Sequence, residues 1–219
     1  MKLYIGDKLI NMSEEELDSL YLNEGSSSTI YKYNDSVIKI YKDKPIIDKL
    51  SIDTINLLKN TRLNRIILPI DPIFDDDKKV IGYSSKYIDS SNFDYLYNMD
   101  GKSFKREIKY LMEDIKTLSK NHIEIDDLHL DNIIYNDNKI YFIDPGSFKY
   151  NDSDIRELED INMYRFELFI VDCLLSRSLA KKNRKKFENK YSSYTTFDNF
   201  LSTMDDEENI KKFVKRVMR

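Results

Sequence analysis

Between residues 125 and 146 the chain reads Ile-Asp-Asp-Leu-His-Leu-Asp-Asn-Ile-Ile-Tyr-Asn-Asp-Asn-Lys-Ile-Tyr-Phe-Ile-Asp-Pro-Gly, and this stretch constrains the fold more than any other. Two short β-type runs, Ile133 to Tyr135 and Lys139 to Ile143, flank Asn136-Asp137-Asn138, whose side chains suit a tight turn. A hairpin is expected. Asp127 and Asn132 lie on the loop entering its first strand and Asp144 lies just past its second, so closing the hairpin brings three oxygen-bearing side chains toward one place. Such a set suits Mg²⁺ held on nucleotide phosphates beside an attacking hydroxyl.

These residues resemble two motifs of the protein-kinase-like superfamily. Asp127-Leu128-His129-Leu130-Asp131-Asn132 is similar to the catalytic loop, with the family's five-residue step from Asp to Asn, and Asp144-Pro145-Gly146 is similar to the metal-binding Asp-Phe-Gly. Upstream, Leu22 to Tyr33 followed by Val37 to Tyr41 resembles the glycine-rich loop and the strand that carries the nucleotide lysine. Of the three loop glycines only Gly25 remains, with Asn23 and Ser28 at the other two positions. The small residues Gly25, Ser26, Ser27 and Ser28 still let backbone N–H groups approach phosphates.

The resemblance implies an α+β, bilobal kinase-like fold. Residues 1–88 would form a small antiparallel sheet with one main helix, 86–89 a hinge, and 90–219 a reduced, mainly helical lobe. It implies ATP and Mg²⁺ as cofactors. Lys39 would contact the α/β-phosphates, Asn132 and Asp144 would hold Mg²⁺, and Asp127 would receive or orient the acceptor hydroxyl. His129 stands where aminoglycoside and choline-type kinases have histidine. Lys86 and Ile88 would offer hinge backbone to the adenine edge. The family's helix glutamate that pairs with the lysine has no counterpart, because no glutamate occurs between Glu24 and Glu107; that acid would have to be Asp53, or Asp48. Asp160 would tie its helix to the catalytic-loop backbone. Ile125 and Asp126 replace the His-Arg that normally precedes the catalytic Asp, so switching by loop phosphorylation is not expected.

Elsewhere the pattern is read from the residues. Residues 1–20 predict a hairpin turning at Gly6-Asp7, then a helix capped by Ser13 with Glu16 three positions on. Apolar spacing predicts a helix over 46–60 with Leu50, Ile52, Ile55, Leu57 and Leu58 inward. Strands are expected at Arg65 to Ile70 and Lys78 to Ser84, with prolines and Asp75-Asp76-Asp77 between them. Ser103 to Lys120 predicts an amphipathic helix, and Asp160 to Leu175 opens a strongly apolar one, with further helices near 181–190, 195–203 and 206–218.

Charge and cysteine content narrow the function classes. From Ser176 onward twelve Lys and Arg face six Asp and Glu, against 23 and 33 in the rest, so a basic end that an acidic partner would fit follows an acidic body. The single cysteine, Cys173, excludes an intrachain disulfide, and two histidines without ligand spacing argue against zinc. No apolar run approaches the roughly 20 residues of a membrane span, so a cytoplasmic protein with no membrane or nucleic-acid partner is expected. Three readings remain: a compact kinase acting on protein Ser/Thr hydroxyls, a small-molecule kinase of aminoglycoside or choline type, and a pseudokinase that binds nucleotide or a partner.

Overall fold

The computed structural model describes residues 2–42, 50–89, 101–126, 128 and 132–175. They form an α+β structure built on a curled, seven-stranded antiparallel sheet whose strands, counted along the chain, lie in the order 2-1-6-7-5-4-3. The first hairpin, β1 (Lys2–Ile5) and β2 (Lys8–Asn11), turns at Gly6, whose φ of +56° is accessible to glycine without steric cost. Helix α1 (Glu14–Ser19) follows, and its start has the predicted reciprocal cap: Ser13 Oγ accepts from the Glu16 N–H while Glu16 Oε2 accepts from the Ser13 N–H. Strands β3 (Tyr21–Glu24), β4 (Ser28–Tyr33) and β5 (Ser36–Tyr41) then run as consecutive antiparallel neighbours, and β5 pairs on its far side with β7.

Helix α2 spans Ile52–Lys59, a shorter element than the apolar pattern over 46–60 predicts. Ser51 is its N-cap, accepting from the Thr54 N–H at 3.1 Å, so the helix cannot extend back through Leu50. Ile55 and Leu58 are buried and Leu57 packs against the core, but Ile52 is exposed on the first turn rather than inward. Residues 43–49, including Asp48, lie outside the described residues.

The next two strands also differ from expectation. They are β6 (Pro69–Phe74) and β7 (Val80–Lys86), so Pro69 and Pro72 lie within β6 rather than after it. Proline is tolerated because the β1 ladder reaches only Ile73 and Phe74, and beyond it Gly6 N–H donates to Pro72 O at 2.9 Å, a bond that uses the carbonyl proline keeps and not the N–H it lacks. Residues 65–67 instead bridge to the later hairpin, with mutual bonds between Ile67 N–H and Phe142 O (2.8 Å) and between Phe142 N–H and Arg65 O (2.8 Å).

Helix α3 (Gly101–Lys120) leads through β8 (Ile123–Glu124) to the hairpin β9 (Ile133–Asn136) and β10 (Lys139–Phe142). Its turn residues Asp137 and Asn138 both have positive φ, 48° and 57°, as a two-residue hairpin turn requires and Asp and Asn tolerate. A 3₁₀ turn at Pro145–Ser147, the strand β11 (Lys149–Tyr150) paired with β8, and helix α4 (Ile155–Leu175) packed on α3 complete the described chain. Asn92 to Asn98 and everything after Leu175, including the basic segment and the three further expected helices, lie outside it. No described helix is long and apolar enough to cross a membrane.

One core runs from the sheet to the helices. Tyr41, Tyr83, Ile55 and Leu58 share it with Ile108, Leu111, Ile115 and Leu118 of α3, Ile133, Ile140 and Phe142 of the hairpin, and Phe166 and Phe169 of α4. The opposite sheet face packs Ile38 with Leu3 and Ile73. Strand alternation therefore turns Ile38 and Ile40 one way and Lys39 and Tyr41 the other, toward the hairpin.

Gly82 fixes the spacing of β5 and β7, because a Cβ placed there would stand 1.9 Å from the Lys39 carbonyl oxygen, a backbone atom with nowhere to move. Gly82→Ala is expected to cost about 3 kcal/mol, the upper part of the usual range for overpacking. Urea unfolding would read it as a lowered midpoint, and a variant as stable as the parent would show that the two strands can separate freely.

Candidate functional site

The site is built where β5 and β7 face the open end of the β9–β10 hairpin. In β5, Lys39 stands opposite Ile30 on one side and Tyr83 on the other. Only 6 % of Lys39 is exposed, so its ammonium requires a partner, and it forms an ion pair with Asp144 Oδ1 across 105 residues of sequence. The hairpin presents that carboxylate: Ile143 N–H donates to Asn132 O at 2.7 Å, which extends the ladder by one step and places Asp144 one residue past the pair that Asn132 makes with Ile143. Asp144 has a left-handed backbone, φ 67° and ψ 66°. The following proline disfavours the right-handed helical region, and aspartate tolerates the left-handed one. Its Oδ1 also accepts from the Gly146 N–H at 3.2 Å and from the Tyr83 hydroxyl at 3.2 Å.

The small-residue loop lies two ladder pairs along, beyond Ser28, which stands opposite Tyr41. Gly25 N–H donates to Ser28 O at 2.9 Å, Lys42 N–H donates to Ser27 O at 3.0 Å, and the Lys42 ammonium reaches Gly25 O at 2.8 Å while pairing with Glu24. The backbone N–H groups of Ser26 and Ser27 have no partner among the described residues.

Asp127 and His129 lie outside the described residues, but the backbone before and after Asp127 is described. Ile125 N–H donates to Asn162 Oδ1 at 2.8 Å, Ile125 O accepts from Arg165, Asp126 O accepts from Ser147 Oγ at 2.7 Å, and Leu128 packs against the core. Asn162 is fully buried, and its amide donates to Ser119 Oγ and Ile123 O, both at 2.9 Å. The tie from α4 to this loop is thus made by Asn162 and Arg165, which hold the two backbone groups of Ile125. Asp160, expected in that role, is exposed, because it lies two residues, about 200°, around the helix from Asn162.

Asp53 and Lys86, both expected at the nucleotide, stand exposed. Asp53 is exposed in the first turn of α2, where an acid complements the helix dipole, and the Lys39 ammonium is on Asp144 instead. Lys86 closes β7 as an exposed residue, and Ile88 is half-buried on the segment leading away. That segment is anchored by Tyr87 N–H to Asp35 O (2.9 Å) and by the Asn136 amide to Asp89 O (2.7 Å).

The surrounding charges are strongly paired. Burial would raise the Glu124 carboxyl, but Asn151 at 2.7 Å, Arg165 at 2.8 Å and Lys149 at 3.3 Å outweigh it and hold the group below the usual carboxylate range. Burial, reinforced by the Asp144 charge, pushes the Tyr83 phenol well above its ordinary value, so it remains a donor. Among the described residues no group of three or more His, Cys, Asp and Glu side chains gathers as a metal site. No family model matches the chain, and no curated protein matches it.

Proposed function

We propose that this protein is an ATP-dependent phosphotransferase of the protein-kinase-like type, with a protein Ser/Thr hydroxyl as acceptor and a cytoplasmic setting. The observation that carries the reading is the meeting of Lys39 with Asp144, a strand lysine and a post-hairpin carboxylate placed by separate parts of the chain. The seven-stranded sheet on one side and the helices α3 and α4 on the other would be the two lobes, with residues 86–89 as the hinge.

The residues fit Mg²⁺ in their donor chemistry. Asp144 Oδ2 takes no hydrogen bond among the described residues, and a third of the side chain is exposed, which leaves a hard oxygen donor for the ion, with Asn132 on the adjoining strand end as the second. Mg²⁺ takes one or two such protein oxygens with waters and phosphates, and bound there it would neutralise charge on the β- and γ-phosphates. Lys39 would exchange its carboxylate partner for an α/β-phosphate oxygen, and the free N–H groups of Ser26 and Ser27 would meet the phosphate chain. Asp127 would accept the acceptor's hydroxyl proton as the new O–P bond forms and the bond to the ADP oxygen breaks. Catalysis would rest on positioning and charge stabilisation.

One observation favours a nucleotide-binding module without transfer: Lys39 is on the carboxylate proposed for the metal, with no helix acid among the described residues to hold it toward phosphate. The deciding experiment supplies γ-labelled ATP and Mg²⁺ with protein or small hydroxyl acceptors to the wild type and to Asp127→Ala. Transfer by the wild type at least about a hundredfold faster than by the variant is expected, the usual scale for a positioned proton acceptor. Equal labelling by both removes Asp127 from the chemistry, and nucleotide binding without any labelling favours the binding module.

A further inference from the structure

The Lys39–Asp144 contact involves a third residue that no sequence motif marks. Tyr83 stands directly opposite Lys39 in the β5–β7 ladder, is 2 % exposed, and aims its hydroxyl at the same carboxylate oxygen that Lys39 holds. Its ring lies beneath the ammonium, with Lys39 Nζ 5.8 Å from the ring centroid, and packs edge-on against Tyr41 at 6.2 Å. Among the described residues Asp144 is the one hydrogen-bond partner of this hydroxyl. A buried hydroxyl is costly to leave unpaired, so phenol and carboxylate fix each other.

The distribution of donors on Asp144 matters. Lys39, Tyr83 and the Gly146 N–H all converge on Oδ1, and none of them touches Oδ2. A carboxylate oxygen has about two lone-pair directions, so three donors fully occupy Oδ1 and set the plane of the group. The donors differ in permanence. Lys39 carries its charge on a four-carbon stem that can turn toward a phosphate, whereas Tyr83 is packed in the core and the Gly146 amide is backbone. Once the ammonium leaves, Tyr83 is the side chain that still holds Oδ1.

We propose that Tyr83 is a positioning residue that keeps the Asp144 carboxylate turned with Oδ2 outward, so that Mg²⁺ with its nucleotide can be held while Lys39 moves to the phosphates. This rests on the phosphotransferase reading. It also accounts for a helix acid being dispensable: an uncharged donor from the neighbouring strand orients the carboxylate, in place of an α2 acid orienting the lysine.

The test compares wild type, Tyr83→Phe, Asp144→Asn and the double variant by calorimetric titration with ATP, once with Mg²⁺ and once with EDTA. Circular dichroism establishes that each is folded. Tyr83→Phe keeps the ring and its packing and removes only the hydroxyl. Its Mg²⁺-dependent ATP affinity is expected to fall about tenfold, the lower end for loss of a group that orients a metal-binding side chain, with binding in EDTA unchanged. In the Asp144→Asn background the same change should have no further effect. Equal weakening with and without Mg²⁺, or an undiminished effect in the Asp144→Asn background, would assign Tyr83 a packing role and overturn the inference. Wild-type Mg²⁺-dependent binding matched by Tyr83→Phe overturns the inference and leaves the phosphotransferase reading standing. A wild type that binds no ATP under either condition overturns both.

Discussion

Asp144→Asn is expected to lower the proposed phosphoryl transfer about a thousandfold, the scale of removing one charge-stabilising group from a prearranged site. Asparagine has nearly the shape of aspartate, so the turn at Pro145–Ser147 and the hydrogen bonds from Tyr83 and Gly146 have a substitute oxygen to accept them. The negative charge disappears. That removes the hard anionic donor proposed for Mg²⁺ and leaves the Lys39 ammonium, buried in β5, without its counterion. An unpaired charge in such a place costs about 3–5 kcal/mol when burial is complete, and about 2 kcal/mol here, since a third of Asp144 remains in water. Activity and stability therefore both fall, and a single variant cannot separate them. Lys39→Met added to Asp144→Asn removes the stranded charge as well, and that double variant should recover most of the lost stability with no gain in transfer. Initial rates with labelled ATP, alongside urea unfolding of all three proteins, read both quantities. A double variant that stays as unstable as Asp144→Asn would mean that Lys39 and Asp144 are not energetically linked.

The elements legible in the sequence are those whose cause is local. The Ser13–Glu16 cap, the Gly6 turn and the Asp137-Asn138 turn each arise within a few residues, and each is found where the pattern places it. Helix α2 shows the limit of periodicity. Ile46, Ile47 and Leu50 continue the apolar spacing backward, while the actual start is set by the competing hydroxyl of Ser51 bonding Thr54. A serine three residues before a threonine is a readable signal for that start.

What was not legible are the polar side chains that hold the site from a distance. Asn162 lies four residues after Leu158 and four before Phe166, on the buried side of α4, and Asp114 and Glu107 occupy the same inward stripe of α3 as Leu111 and Leu118. An amide or acid in the middle of an apolar stripe indicates that a buried partner exists. It does not identify that partner, which is 37 residues away for Asn162 and 42 for Glu107. Tyr83 gave no such signal, since a tyrosine in a strand is ordinary core. That Lys39 and Asp144 belong to one site follows from the motif resemblance, but their direct ion pair does not: the resemblance pairs Lys39 with Asp53 or Asp48, and the spacing of Lys39 and Asp144 carries no signal.

Glu107→Ala is expected to destabilise the protein by about 3–5 kcal/mol, the penalty for removing one partner of a buried ion pair. Glu107 is fully buried in α3. It receives both Nε and Nη2 of Arg65, Arg106 Nε at 2.9 Å and the Ile140 N–H at 3.3 Å. Arg65 is seated over the Tyr110 ring at 4.4 Å, and its own N–H and those of Asn64 and Ile66 are gripped by Asp114, so α3 clamps the link between α2 and β6 with two carboxylates. Truncation strands the guanidinium among tyrosines and leaves the Ile140 amide unpaired. The ionic character of the clamp gives a second reading, in pH. Burial by itself would raise the Glu107 carboxyl, but the hydrogen bonds and charges of Arg65 and Arg106 outweigh it and hold the group below its ordinary value of 4.5. A depressed carboxyl in the folded state contributes stability that is complete above the unfolded value and disappears as the pH falls through the folded one. Asp114 has the opposite sign: burial exceeds the lowering from its four hydrogen bonds, so its carboxyl is raised and its protonation favours the folded state as acid is added. Glu124, depressed like Glu107, maintains part of the acid sensitivity. Urea midpoints followed downward from pH 6 should therefore fall more steeply below about pH 4.5 in the wild type than in Glu107→Gln, with some slope surviving in the variant. Parallel curves would show that Glu107 binds Arg65 without the ionisation this geometry requires, and the clamp would then have to be read as neutral hydrogen bonding.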